Sequence, residues 1–574
     1  MKSGVEAARG ALVVAVVCAL AGNAFAATNV IVLVPDGCSN SIQTLSRWYT
    51  GKTLTLDSMV VGQVRTHMAD SVVTDSAPAA TAFATGHKSS DKFIGVGPKA
   101  DKLLTGLAAP PEAMRYKPLA TVLEAARLKG LATGLVATSS VSHATPAAFA
   151  AHTHSRALEN EIMEQIVYQD VNVVLGGGKR YLLPTAEGGS RTDGENLISV
   201  LQDRGYSFVE TADQLAQVST GKVFGMFASS AMAPEIDRPT VAPTQPSLAT
   251  MTAKAIELLA QDPDGFFLMV EGSQIDWAGH ANDAIYMVTD FLAFDDATRV
   301  ALDFAKQHGD TLVVAFPDHD TGGLTIGNAG TGSTYTSITV EALVEPLKKM
   351  KVSGAALAAR IGTDTSPANV KAQILELWGV QVSDADVTEI LALKDKGLGL
   401  DYAIPEVISR NYTVIGWTGH GHTGHDVPLW AYGPGKPAGL LDNTQLATVV
   451  AEALGFDLAA VDQHLFVEAT SRYPGSRVDL SDPANPVFRI GHCSVPSAKN
   501  VVRYEPLGLE IPLEGVAVHA PVTGKFYVSK LAVAVIDLLQ SSLSGMSALD
   551  VEALATRMEF SRDLGFPPAL RAER

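Results

Sequence analysis

The chain has 574 residues, 47% of them hydrophobic and 18% charged, with a formal net charge of -18. This composition excludes a disordered chain, and the length exceeds one minimal domain, so a large α/β core with additions is expected. The negative charge argues against a nucleic-acid or anionic-membrane partner, while a local positive site can still draw in an anion.

In chain order, the first feature is Lys2 and Arg9 ahead of an apolar run over 11–21, closed by Ala24, Phe25 and Ala26. This is the three-part pattern of a secretory signal peptide, with cleavage after Ala26, and its run is too short for a permanent membrane anchor. The expected location is periplasmic or secreted, with no transmembrane anchor. Beyond residue 26 only Cys38 and Cys493 remain, so at most one disulfide is available and the fold does not depend on a disulfide framework.

Residues 29–34, NVIVLV, predict a central parallel strand buried on both faces, ending in Pro35, Asp36 and Gly37. Next, residues 73–88, VTDSAPAATAFATGHK, place Ser76 after Asp75 and before a run of small residues. Pro78 fits only in a first helical turn, so a helix is expected to begin at or just after Ser76. The Ser76 hydroxyl then lies at a helix N-terminus, where free N–H groups and the helix dipole favour an anion such as phosphate. Taken alone, an ordinary N-cap serine explains the same pattern.

An amphipathic segment over 119–129 and a strand-like run over 131–138 lead into SHATPAAFAAHTHSR at 142–156. A further apolar strand at 265–270 is followed by Glu271, Asp276 and His280. Asp276 and His280 are spaced to share one face of a helical turn and grip one metal ion. A helix over 283–306 precedes a strand at 311–316 that ends in Pro317, Asp318, His319 and Asp320. Acids or histidines thus recur at the carboxyl ends of apolar strands, the edge where open α/β sheets bind ligands.

Residues 333–411 read as a helical insertion, and the core returns at 419–435, GHGHTGHDVPLWAYGPG, with a strand over 427–432 and a helix over 443–454. Past 483, short β runs and a helix near 530–539 suggest an appendage. The expected fold class is α/β: a central mostly parallel sheet sandwiched by helices, with a helical insertion and a small C-terminal β-rich appendage. The core is assigned to 27–332 and 412–483, the insertion to 333–411, and the appendage, of no legible role, to 484–574.

Phosphate ester hydrolysis needs a nucleophile, cations that spread the charge of the transferring group, and help for the leaving oxygen; two divalent ions roughly 4 Å apart meet most of these needs. By ligand type, Asp276, His280 and His422 suit one zinc, and Asp36, Asp318 and His319, closing on Ser76, suit a second. Glu271, Thr145 and the other oxygen of Asp36 suit a harder third ion. His420 and His425 lie so near His422 that spacing alone does not choose among them. His152 and His154 read as surface or helix-packing residues, Asp320 as a loop hydrogen-bonder and Cys38 as a buried thiol beside the site.

In their order, Asp36 with Gly37; Thr74, Asp75, Ser76 and Ala77; His143, Ala144, Thr145 and Pro146 with Arg156; Glu271 and Gly272 with Asp276 and His280; Asp318 with His319; and His422, Thr423 and Gly424 resemble the motifs of the alkaline phosphatase family across about residues 29–435. The resemblance selects His422 as the ligand. It implies a phosphomonoesterase with two Zn2+ and one Mg2+, acting on small phosphate monoesters, in which Ser76 is the nucleophile and becomes a phosphoserine. Arg156 would clamp two phosphate oxygens, Asp75 would orient it, one zinc would activate Ser76 and the other would steady the leaving oxygen. Retention at phosphorus and transfer to alcohol acceptors are implied as well.

Two positions depart from the best-studied bacterial members, which carry Asp and Lys where this chain has His143 and Trp277. His143 either ligates the third ion, directly or through water, or holds a water in its shell, the last being favoured, and Trp277, by removing a cation near phosphate, is assigned to faster product release. Insertions at 333–411 either cover the site or build a dimer interface in the resembling family, so a homodimer is compatible. The alternative is a phosphodiesterase or sulfatase-type relative on the same scaffold, disfavoured because Ser76 lacks the following Pro and Arg of the sulfatase nucleophile and because the Arg156 clamp suits a terminal phosphate.

Overall fold

A computed structural model describes residues 27–99, 103–105 and 110–541. The expected signal peptide and the appendage beyond 541 lie outside the described residues. Ten strands form the main sheet: β1 (Asn29–Pro35), β2 (Val60–Arg65), β3 (Ala132–Ser140), β4 (Val173–Gly177), β5 (Tyr206–Val209), β6 (Lys222–Met226), β7 (Phe266–Gly272), β8 (Thr311–Ala315), β9 (Val427–Tyr432) and β10 (Gly439–Asp442). Their spatial order is β10-β2-β9-β8-β1-β7-β3-β4-β6-β5. Every neighbouring pair is parallel except those of β9, which runs antiparallel to both β2 and β8.

The unbroken apolar run of β1 is explained by its place: every residue is buried, between β8 and β7. Its alternate side chains serve two cores. Ile31 and Leu33 join Val313, Leu268 and the buried face of the helix Ala284–His308, while Val30, Val32 and Val34 join Met269, Val314 and the helix Ser76–Thr85. Helices on both faces are the usual cover for a parallel sheet.

The insertion consists of five helices, Val340–Lys348, Gly354–Ile361, Pro367–Trp378, Asp384–Asp395 and Leu400–Tyr412. Thr339, Ser353, Ser366 and Ser383 cap the first four with side-chain oxygens. Its buried Trp378, Ile374 and Val407 are continuous with the core under β1 and β7, so the insertion is packed onto the sheet domain.

The C-terminal part forms a five-stranded antiparallel sheet and a three-stranded one around a separate apolar cluster that includes Phe488, Val495, Phe526 and Ile536. The boundary at 484 needs correction. Val467 already pairs with Val528, and Arg477–Asp479 pairs with the strand Val487–Ile490, so this unit begins near residue 467. The short, polar strand RVD offers no apolar alternation to announce it. Cys38 and Cys493 are both free, buried thiols.

Candidate active site

Topology assembles the site. Strands β8, β1, β7 and β3 are parallel neighbours, so their carboxyl ends bring Asp318 and His319, Asp36, Glu271, and His143 with Thr145 to one edge. Strand β9 runs the other way, and the His422 segment just before its amino end meets that same edge. Asp276 and His280 follow β7 on the helix α2 (Gln274–Ala281), one turn apart as their spacing predicts.

Ser76 is the first residue of the helix α1 (Ser76–Thr85), with Asp75 as N-cap accepting from the Ala77 N–H at 3.4 Å. Every residue of α1 is buried, because alanines and one proline at its start let the backbone pack closely on all sides. The Ser76 hydroxyl lies 3.1 Å from His319 Nε2.

Three groups of ligand-type atoms, each within 4.8 Å of one another, surround it: Asp276, His319 and His422; Asp36, Asp318 and His319; Asp36, His143 and Glu271. His280 stands beside the first, its Nε2 3.4 Å from Asp276 and 3.2 Å from His422 Nε2. The histidines are pinned through their other nitrogen. His422 Nδ1 donates to the Thr74 carbonyl at 2.8 Å and His280 Nδ1 to the His420 carbonyl at 2.5 Å. His319 Nδ1 meets Thr321 Oγ1 at 3.2 Å. Each of the three keeps Nε2 for the cluster, the arrangement that outer-shell partners impose on metal-binding histidines.

The carboxylates are held in a similar way. Asp318 Oδ1 accepts from the Gly37 and His319 N–H groups at 3.1 and 3.0 Å, Asp276 Oδ1 accepts from Thr321 Oγ1 at 2.6 Å, and Glu271 accepts from Ser139 Oγ at 3.2 Å. Both oxygens of Asp36, Asp318 Oδ2, Glu271 Oε1, Thr145 Oγ1 and His143 Nδ1 are buried without a hydrogen-bond partner. Buried polar atoms are ordinarily satisfied, so this set fits divalent cations: mixed N and O donors suit zinc, and the oxygen-rich group around Asp36, Glu271 and Thr145 suits magnesium.

Charge tells the same story. Burial, then repulsion from Asp318, Asp276 and Glu271, pushes the Asp36 carboxyl well above its ordinary range, and burial pushes Glu271 up to about 7. Burial, then His319, lowers His422 to about 4; burial, then Arg156, lowers His143 to about 4. Burial opposes protonation of His280 as well, but its pairing with Asp276 raises it to about 9. Crowded carboxyls among imidazoles, with His143 and His422 held neutral and His280 and His319 drawn, against burial, toward protonation by Asp276 and Asp318, are a site that protons and metal ions compete for.

Arg156 donates to Asp75 at 2.5 Å through one terminal nitrogen, and the other lies 3.0 Å from His143 Nε2. Trp277 packs edge-on against the His143 ring at 5.6 Å. Thus the candidate nucleophile, phosphate-binding and metal-ligating residues lie together. His152 is the helix-packing residue of its two readings: it is fully buried, with Nδ1 2.9 Å from the Gly95 carbonyl and Nε2 3.1 Å from Glu124 of the helix Val122–Leu128. Asp320 accepts from Thr423 at 2.5 Å, as a loop hydrogen-bonder would, and His425 is largely exposed. Sequence reasoning missed Thr321, Ser139 and the backbone role of Gly37, whose only signal is nearness to a ligand in the chain.

The alkaline phosphatase family model matches residues 27–456. The chain belongs to the alkaline phosphatase family. It is 37% identical to alkaline phosphatase 3 of Bacillus subtilis over 462 residues, covering 77% of this chain and 92% of that protein. The crystal structure of Thermus thermophilus alkaline phosphatase superposes with a TM-score of 0.67 at 29% identity, covering 75% of this chain and 92% of that one. A variant of the alkaline phosphatase from the Antarctic bacterium TAB5, with a histidine replaced by glutamate and Mg bound in its M3 site, matches at 28% identity and a TM-score of 0.52, covering 75% of this chain and 99% of that one. As a member of this family the chain is a phosphoric monoester hydrolase of the metal-dependent kind.

Proposed function

We propose that this alkaline phosphatase is exported and hydrolyses small phosphate monoesters through a phosphoserine at Ser76, with two zinc ions and one magnesium ion. The observation that carries the reading is the Ser76 hydroxyl at 3.1 Å from His319 Nε2, between two ligand groups that share His319. Asp276, His280 and His422 would hold one zinc, and Asp36, Asp318 and His319 the other. Asp36, Glu271 and Thr145 would hold the magnesium, with His143 in its shell; the buried, unpartnered oxygens of Asp36, Glu271 and Thr145 support that choice. When bound, such ions lower the pKa of an oxygen nucleophile and spread the charge of the transferring group.

Arg156, fixed by Asp75, orients the free oxygens of the phosphate with the planar fork that a lysine lacks. Ser76 Oγ gives up its proton and bonds to phosphorus as the ester P–O bond breaks, and the alcohol leaves carrying a proton. Water then breaks the bond between phosphorus and Ser76 Oγ, releasing inorganic phosphate and returning a proton to the serine. An alcohol in place of that water gives transfer, and the two in-line displacements retain configuration at phosphorus. Export rests on the pattern of residues 1–26, and no single described helix is long and apolar enough to cross a membrane.

Elemental analysis of the purified protein, with turnover of a chromogenic phosphate monoester before and after chelation, tests the metal assignment. Two zincs and one magnesium per chain, with activity lost on chelation and restored by both ions, is the expected result. A metal-free protein with turnover indifferent to chelator would overturn it.

A further inference from the structure

The helical insertion reaches the ligand His280 through one histidine that the chemistry above does not use. The insertion's last helix, α3 (Leu400–Tyr412), lies against the end of α2: Ser409 Oγ donates to the Asn282 carbonyl at 3.3 Å. From the same helix, the Glu406 carboxylate lies 3.1 Å from His420 Nε2. His420 and His280 bind each other reciprocally. His280 Nδ1 donates to the His420 carbonyl at 2.5 Å, and His420 Nδ1 donates to the His280 carbonyl at 2.7 Å. With its nitrogen turned toward them, the Asn282 amide adds bonds to the Gly279 carbonyl at 3.0 Å and the Gly419 carbonyl at 2.8 Å.

This arrangement has a direction. The His420 carbonyl fixes the tautomer of His280 and leaves Nε2 facing Asp276 and His422. Backbone bonds hold the loop's flanks, Thr418 and Gly419 N–H donating to the Gly322 carbonyl at 2.8 and 3.4 Å and Gly322 N–H to the Gly421 carbonyl at 2.9 Å, while the His420 ring holds the carbonyl between those flanks on the end of α2. Glu406 in turn holds the ring. Arg410, 3.8 Å from Glu406, is itself paired with Glu389 at 2.7 Å, so Glu406 is not fully engaged elsewhere. Among the described residues no strap from the insertion touches His319, whose Nδ1 meets Thr321 of the sheet domain.

We propose that Glu406 and His420 are positioning residues through which the helical insertion holds His280 in its metal-binding orientation, so that the insertion governs retention of one of the two zincs and leaves the other alone. The inference rests on the zinc assignment made above. Partners that orient a histidine ligand from behind commonly alter metal affinity by about 10- to 100-fold when removed.

The test is zinc release from the zinc-loaded protein into an excess of a chromophoric chelator, followed in time for the wild type, Glu406→Ala, Glu406→Gln and Glu389→Ala. In Glu406→Ala, one of the two zincs is expected to leave roughly tenfold faster, while the second leaves at the wild-type rate. Glu406→Gln, whose amide oxygen still accepts from His420, is expected to fall between, and Glu389→Ala to match the wild type. The thermal midpoint of the metal-free protein should be the same for Glu406→Ala and wild type. Unchanged release in Glu406→Ala overturns the proposal, as does equal acceleration of both zincs together with a lowered metal-free midpoint, which would mark a general structural role. A wild type that holds no zinc would instead bring down the underlying metal assignment.

Discussion

Ser76 is an ordinary serine made useful by its neighbours: a helix N-terminus behind it, His319 beside it, and the Arg156 fork held by Asp75. Trp277 is the proposed determinant of product release. It stands edge-on to His143, whose other side meets Arg156, so an apolar ring occupies space near the phosphate's cationic clamp. Trp277→Lys adds a cation there and is expected to tighten inhibition by inorganic phosphate about tenfold, or ~1.4 kcal/mol. An unchanged competitive inhibition constant would show that Trp277 plays no part in product release.

At the scale of elements, the turn after β1 carries an exacting constraint. Gly37 has φ +68°, and a Cβ placed on it would lie 2.7 Å from the Asp276 Cα and 2.8 Å from both Asp276 Oδ1 and Thr321 Oγ1. Gly37→Ala therefore combines left-handed backbone strain of ~1–2 kcal/mol with displacement of a metal ligand. Both a lowered Tm and faster zinc loss are expected by calorimetry and chelator release; a variant with wild-type values in both would contradict this account of the turn.

This element scale also explains what was legible. The buried runs of β1, β7 and β8 announced themselves because a parallel strand covered on both faces has no polar alternation, and the residues that follow or end them are the proposed ligands. Strands β2, β4 and β6 were silent. Gly62, Gly176 and Gly177 interrupt β2 and β4 where backbones approach closely, and Gly225 interrupts β6 where side chains crowd it; a Cβ on Gly62 would lie 1.9 Å from the Gly439 carbonyl of β10. The antiparallel sense of β9, which is what delivers His422, was likewise not readable, since its run VPLWAY is apolar in either direction. Of the two readings of His152, surface or helix-packing, the second holds: from a loop it packs on Glu124 of the helix Val122–Leu128, a pairing no spacing rule announces.

Over the whole molecule, the site is a concentrated charge that the rest of the chain must tolerate. In the metal-free protein, His280 has its pKa raised from 6.5 to about 9 and Glu271 from 4.5 to about 7. Both folded-state values lie above the unfolded ones, so each contributes stability that is fully present below its unfolded pKa and lost as pH rises through the folded one. His143 and His422, lowered to about 4, act only below pH 6.5 and with the opposite sign. The metal-free protein is thus expected to lose roughly 1–2 kcal/mol from pH 6.5 to 9.5, after allowance for the partial exposure of His280. The zinc-loaded protein, with these groups tied to cations, should hold its Tm across that window. Denaturation curves for both forms check this, and a metal-free Tm that rises with pH would contradict the electrostatic account.

The C-terminal unit belongs to this scale too. Lys499 bridges it to Glu195 at 2.8 Å and to the buried Glu164 at 3.4 Å, and Val516, Val518 and Tyr527 are part of the sheet domain's own apolar core. It is built into the molecule at a distance in sequence from every proposed ligand, and its described residues supply none of them.

The central claim is that phosphorus is carried on Ser76. The measurement that tests it most directly is acid quenching of the zinc-loaded enzyme during turnover of a phosphate monoester, followed by peptide mass spectrometry. The account predicts a phosphorylated peptide containing Ser76, absent from Ser76→Ala, whose turnover should fall by more than about a thousandfold. Full turnover in Ser76→Ala, with no phosphopeptide in the wild type, would contradict it.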